Sequence, residues 1–229
     1  MELMDGELWV RHLGQVPYRE GVALQESLRE RVVAGELPGV MLLLEHPPTY
    51  TLGRRSAPGD LPLGEDWCRD QGIDVVRVDR GGKLTYHGPG QLVGYPIVRV
   101  GDVIAYLRSI ERAIIAALED AGLEAHTRAG KEYTGVWVQD RKIASIGIHL
   151  SRGVATHGFA INVVNDLSPF EWAVPCGLPD VRMTSMAAEG VAEGVACMRK
   201  RMGHAIAREL GLRQRVVGPS RLASVPSLA

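Results

Sequence analysis

The spacing of apolar residues divides the chain into short strands and longer helices. Leu8–Leu13 alternates apolar and polar residues, the two-residue period of a half-buried strand. From Pro17 the period lengthens: Leu24, Leu28 and Val32 recur every four residues, and Gly35 stands where a helix stops. Val40–Leu44 is a continuous apolar run of strand length, halted by Glu45-His46-Pro47-Pro48 because proline cannot donate to a ladder. Thr49–Arg55 predicts a short strand entering a basic loop, and Ser56–Gly64 a mobile surface segment rich in Pro and Gly. Asp66–Gln71 predicts a short helix closed by Gly72, and Ile73–Val78 another strand.

The clearest helix follows Asp102, a good N-cap, with Val103, Leu107, Ile110, Ile114, Ile115 and Leu118 on one stripe and Gly122 as its stop. Gly135–Leu150 predicts a hairpin turning near Gln139–Arg141, and His157–Val164 alternates again. Asn165–Met183 is irregular and rich in proline, and Glu189–Leu210 predicts a last helix weakened by Gly190, Gly194 and Gly203. Strands and helices mix without regular βαβ alternation. The expected fold is therefore α+β, one domain over 1–217 with mixed, largely antiparallel sheets and flanking helices, followed by a flexible tail from Gly218 to Ala229.

One stretch breaks these patterns. Arg80–Ile97, RGGKLTYHGPGQLVGYPI, holds five glycines and two prolines between apolar runs, and sets Arg80, Lys83, Thr85, His87 and Gln91 among them. Glycines let a ligand approach the backbone, so this is the pattern of a binding loop between strands. It has neither GxxxxGK[ST] nor a GxGxxG opening a helix, so neither common nucleotide loop is supported. Arg54, Arg55, Arg77, Arg80 and Lys83 form a candidate local basic patch, although a net charge of −1 gives no global argument for nucleic acid or a membrane surface. No apolar run approaches the roughly 20 residues of a membrane span, and the N-terminus lacks a signal-peptide pattern, so a cytoplasmic protein is expected.

Three widely spaced cysteines without CxxC suggest neither a disulfide framework nor a metal site. Cys197 beside Ala196 and Cys68 beside Trp67 read as inert packing residues. Cys176, in Val-Pro-Cys-Gly-Leu-Pro, sits in a loop held by Pro and Gly and is a candidate nucleophile, provided a cation or base lies nearby. His46, His87, His149, His157 and Lys142 are the candidates for that partner, each with an ordinary structural role as its alternative. Strict alternation places Lys142 on the face of Ala144, Ile146 and Ile148, where partial desolvation suits a lysine to proton transfer, and His149 on the opposite face with Ser145.

Five blocks taken together extend this reading. RGGKLTYHGPGQLVGYP, EHPPTYTLGRR at Glu45–Arg55, KIASIGIH at Lys142–His149, HGFAIN at His157–Asn162 and PCGLPDVRMTS at Pro175–Ser185 closely resemble the octanoyltransferases of lipoate biosynthesis, in the family's order and across most of the chain. The resemblance implies the fold of the biotin/lipoate protein ligases. It implies transfer of an octanoyl group from octanoyl-acyl carrier protein to a lysine on lipoyl domains of 2-oxoacid dehydrogenase complexes and the glycine-cleavage H protein, with no dissociable cofactor and no metal. It implies Cys176 as nucleophile and Lys142 as its partner. It also implies an acyl site made from Arg80, Gly81, Gly82, Lys83, Leu84, Thr85, Tyr86 and His87, from Ser145, Ile146 and Gly147, and from Gly158, Phe159 and Ala160. His149 and Gln91 are expected behind that site as orienting groups.

Three other readings stand beside it. An ATP-dependent lipoate or octanoate ligase would share the fold and form an acyl-adenylate without a nucleophilic cysteine. An octanoyl amidotransferase would place its cysteine elsewhere in the fold. A non-catalytic acyl-binding module would retain a ligand and form no covalent adduct.

Overall fold

A computed structural model describes residues 6–173 and 181–222. Two sheets of unequal size carry the architecture. The larger is built from β1 (Glu7–Gln15), β2 (Gly39–Glu45), β6 (Gln91–Ile97), β7 (Gly135–Val138), β8 (Arg141–Ser151), β9 (Val154–Asn162) and β10 (Arg213–Val216), in the order β10-β1-β2-β6-β9-β8-β7. The smaller holds β3 (Thr49–Leu52), β4 (Asp74–Arg77) and β5 (Leu84–His87), ordered β4-β3-β5. β1 runs parallel to both of its neighbours and β3 parallel to β4, while every other ladder is antiparallel. This is the mixed α+β domain expected from the sequence.

Alternation along the strands separates two cores. Leu8 and Val10 of β1, Met41 and Leu43 of β2 and Leu92 of β6 face α3 (Val103–Glu119) and α4 (Val195–Glu209). Val40, Leu42, Leu44, Val93 and Ile97 face α1 (Tyr18–Val33), which buries Leu24, Leu28 and Val32. A third cluster joins Tyr50, Leu52, Leu84 and Tyr86 of the small sheet to Cys68 of α2 (Gly64–Asp70) and to Phe170. Asp102 caps α3 by accepting from the N–H groups of Ile104 and Ala105, at 2.8 and 3.1 Å, an arrangement worth about 1 kcal/mol.

Several sequence expectations shift. The last helix begins at Val195 rather than Glu189, because Gly190 takes a left-handed backbone (φ +85°) and Gly194 caps the new start. Its helical period buries Val195, Met198 and Met202 but turns Cys197 outward, so Cys197 is exposed rather than packed. Ser56–Gly64 contains a 3-10 turn, Pro58–Asp60, whose Asp60 and Leu61 are buried. Pro219–Leu222 is another such turn, and Leu222 packs into the α1-side core, so this part of the expected tail is folded against the domain. β10 escaped the sequence reading, since Arg213-Gln214-Arg215-Val216 is an edge strand with three exposed residues. No helix among the described residues is long and apolar enough to cross a membrane.

Candidate active site

A cavity of about 300 Å³ lies between the α1 face of the large sheet and the Arg80–His87 stretch of the small one. Three strands of the large sheet make its floor: Ser145 and Gly147 on β8, Gly158 and Ala160 on β9, Val93 and Tyr95 on β6. Arg80, Gly81, Gly82, Lys83, Leu84, Thr85 and His87 line the facing wall. The two walls are stitched together where Gly81 N–H donates to the Ile148 carbonyl at 2.9 Å. That approach requires glycine at 147, since a Cβ there would sit 2.8 Å from the Gly81 oxygen.

Lys142 reaches this cavity through a break in the sheet register. Val136 pairs with Ala144, but Trp137 pairs with Lys142, leaving Ile143 as the extra residue of a bulge. Val136 and Trp137 point to opposite faces, so the bulge carries Lys142 away from the Ala144 face and onto that of Ser145 and Gly147. The sequence reading had placed Lys142 with Ala144, Ile146 and Ile148; strict alternation fails at Ile143. The lysine is 1% exposed. Its Nζ donates to the Thr134 carbonyl at 2.9 Å and lies 5.4 Å from the centroid of the Trp137 ring. Its backbone holds the segment around Met183: Lys142 N–H donates to the Arg182 carbonyl at 2.8 Å, and Thr184 N–H donates to the Lys142 carbonyl at 2.9 Å. Cys176 itself lies outside the described residues.

Of the fourteen residues expected to form an acyl site, Tyr86 is the one the cavity leaves out. Alternation on β5 turns its ring toward Tyr50 and Phe170, 5.4 and 5.5 Å away, in the core of the small sheet. Gln91 stands behind His87: its Oε1 accepts from His87 Nδ1 at 2.8 Å, and its amide donates to Asn162 Oδ1 and to the Tyr86 carbonyl. His149 stays out of the cavity lining, with Nε2 3.3 Å from Asp79 Oδ2. Arg55, Arg80 and Lys83 of the candidate basic patch reach the cavity, whereas Arg77 pairs with Glu65 at 2.8 Å.

The structure adds lining residues beyond those fourteen. Tyr18 in the first turn of α1 stacks on His87 with ring centroids 5.4 Å apart. Val93 and Tyr95 come from β6, Leu107 from α3, and Lys131, Glu132 and Thr134 from the turn before β7. The exposure pattern of the sequence could not find them, because each lies on an element with its own packing role and joins the cavity only through the tertiary fold. Beneath them lies a neutral polar layer. His46 Nδ1 donates to the Val16 carbonyl at 2.6 Å, so its Nε2 accepts from the Tyr95 hydroxyl at 2.7 Å. Burial pushes His46 and His157 down to about 4 and His87 well below the ordinary histidine range; Arg80 adds to the effect on His157, and His46 and Arg80 to that on His87. Burial also raises the Tyr18 and Tyr95 hydroxyls, so this layer holds no charge besides Arg80 near neutral pH. These three histidines are thus poor proton donors at neutral pH.

Among the described residues no cluster of His, Cys, Asp or Glu could hold a metal ion. The arrangement suits an apolar chain laid across small residues, with a buried amine at one end of the strand that floors it.

Residues 17–207 match the model of the lipoyl protein ligase A/B catalytic domain family. An octanoyltransferase of Thermobifida fusca is 47% identical over 196 residues, 80% of each chain. One of Solibacter usitatus is 50% identical over 186 residues, covering 80% of this chain and 83% of the relative. One of Mycobacterium ulcerans is 43% identical over 213 residues, covering 88% and 87%. Among solved structures, a lipoate-protein ligase A bound with ATP superposes with a TM-score of 0.77 at 17% identity, over 96% of this chain and 92% of the other. A biotin protein ligase of Aquifex aeolicus bound to biotin gives 0.51 at 14% identity, over 88% and 70%. At such identities these structures establish the shared fold.

Proposed function

The chain belongs to the octanoyltransferases of the lipoyl protein ligase A/B catalytic-domain family, and on that premise we propose that it carries an octanoyl group from acyl carrier protein to a lipoyl-domain lysine through a thioester on Cys176. The observation that carries the reading is the tie between Lys142 and a segment a few residues beyond Cys176 in sequence. Arg182 and Thr184, six and eight residues after Cys176, are hydrogen-bonded to the backbone of Lys142. The lysine's buried Nζ meanwhile lines the acyl cavity.

In the first half-reaction the Cys176 thiolate attacks the carbonyl carbon of the carrier thioester. The carbon–sulfur bond to the carrier breaks as the bond to Cys176 forms, and the departing carrier thiolate takes a proton from the Lys142 ammonium. Lys142, now neutral, accepts a proton from the ε-amine of the acceptor lysine as that nitrogen attacks the new thioester. The bond to Cys176 then breaks, leaving an amide on the acceptor and the original thiolate–ammonium pair. A thioester is already activated, so the transfer needs no nucleotide. The Thr134 carbonyl and the face of the Trp137 ring hold the Lys142 Nζ in place at the cavity. The acceptors are lipoyl domains of 2-oxoacid dehydrogenase complexes and the glycine-cleavage H protein.

Incubation with a lipoyl domain tests this reading. Octanoyl-acyl carrier protein without nucleotide should add one octanoyl group to the domain, and free octanoate with ATP should add none. Modification only in the second mixture would assign the chain to adenylate chemistry instead.

A further inference from the structure

We infer that Val93 is the gauge that sets the length of the acyl chain; this rests on the acyl transfer proposed above. Ser145 pairs with Ala160, Ala160 with Val93 and Val93 with Leu44, forming one straight row across β8, β9, β6 and β2. The first three line the cavity and Leu44 does not, so the open part of the row ends at Val93. Side chains along the row grow from Ser and Ala to Val and Leu. A shallow trough therefore crosses the strands and is closed by branched residues.

The alternative route, lengthwise along β8, is shut. The Gly81 carbonyl stands 2.8 Å from where a Gly147 Cβ would be, and Gly81 N–H is bonded to Ile148. A chain starting beside Lys142 must then turn across the strands. Ser145 to Val93 is two inter-strand spacings, about 10 Å, which matches the reach of an extended eight-carbon acyl group.

At the closed end Val93 is the adjustable part. The cavity is also lined by Tyr18, stacked on His87, and by Tyr95, two residues along β6 from Val93. His87 is held by Gln91, and Tyr95 donates to His46, so neither ring can retreat without leaving a buried polar atom unpaired. Val93 is 1% exposed and makes only apolar contacts through its side chain, so its size can change without breaking a hydrogen bond.

The test measures rates of acyl-adduct formation with neutral N-acetylcysteamine thioesters of hexanoic, octanoic and decanoic acid, for the wild type, Val93→Ala and Val93→Ile. Each buried methylene is worth about fourfold. Wild type should favour octanoyl. Val93→Ala should raise the decanoyl-to-octanoyl ratio by up to about fifteenfold, the worth of two methylenes, and Val93→Ile should lower it and raise the hexanoyl share. Because the two variants shift the ratio in opposite directions, a general loss of stability in either one cannot imitate the result. Octanoyl adducts with an unchanged ratio in both variants would overturn the gauge alone. A wild type that forms no adduct with any thioester would overturn the transfer on which the gauge rests.

Discussion

Lys142 stands opposite Trp137, one residue out of step with the neighbouring pair Val136 and Ala144. That single extra residue, Ile143, decides which side of the sheet receives the lysine. On the cavity side its Nζ meets the Thr134 carbonyl and the Trp137 face. On the other side it would be driven into the core packed under α3 and α4. Lys142→Met keeps most of the volume but removes the amine at the cavity, leaving the Thr134 carbonyl without that donor. The variant should still unfold cooperatively by calorimetry, with a loss of about 1–3 kcal/mol, yet lose octanoyl transfer by ~10²-fold or more, the scale of a missing proton carrier. Unimpaired transfer would remove Lys142 from the chemistry.

Gly135 supports the lysine from the adjacent strand. It has φ +135°, and a Cβ there would lie 2.4 Å from the Ala144 oxygen and 2.7 Å from Lys142 Cε. Gly135→Ala should therefore destabilise by about 2 kcal/mol or more in denaturant titration. It should also impair transfer in whatever fraction remains folded. A fully stable and active Gly135→Ala would mean that β7 and β8 can separate without disturbing the site.

His87 depends on Gln91 for its acceptor. Gln91→Leu leaves the buried Nδ1–H unpaired, which should cost about 1–3 kcal/mol in unfolding free energy. The loss should be readable in urea melts before any change at Lys142.

The buried histidines also give stability a pH dependence with a definite sign. His46 and His157 titrate near 4 when folded and near the ordinary 6.5 when unfolded. Between those values the unfolded chain binds more protons, so stability rises with pH. Above about 6.5 their contribution is flat, and it is lost as the pH falls toward 4, by on the order of 3 kcal/mol for each histidine. Urea midpoints measured from pH 7.5 to 4.5 should fall steeply below 6.5, and His46→Gln should flatten part of that slope. A slope unchanged by the substitution would assign it to other groups.

Local signals were strong enough to reveal much of this architecture. Asp102 and Gly122 bracket α3, the four-residue spacing of Leu24, Leu28 and Val32 marks α1, and Gly35 and Gly72 adopt the left-handed turns their positions suggested. That Arg80–Ile97 would line a cavity was legible because glycines interleaved with polar groups are unusual between two strands. What stayed hidden depends on contacts between distant segments. The Ile143 bulge leaves the apolar alternation of β8 intact, so no pattern within one strand reveals that Lys142 changes face. Tyr86 sat inside a block that resembled a binding segment, yet strand parity turned it into the small-sheet core. Val93 and Tyr18 reach the cavity only because β6 and α1 meet there. The edge strand β10 carries arginines that protect its open side, and those same residues masked it.

The most direct test of the account is the intact mass of the protein after incubation with octanoyl-acyl carrier protein alone, for the wild type and for Cys176→Ser. The account predicts one octanoyl adduct on the wild type, removed by hydroxylamine, and none on Cys176→Ser. An adduct of the same mass and yield on the serine variant would contradict it.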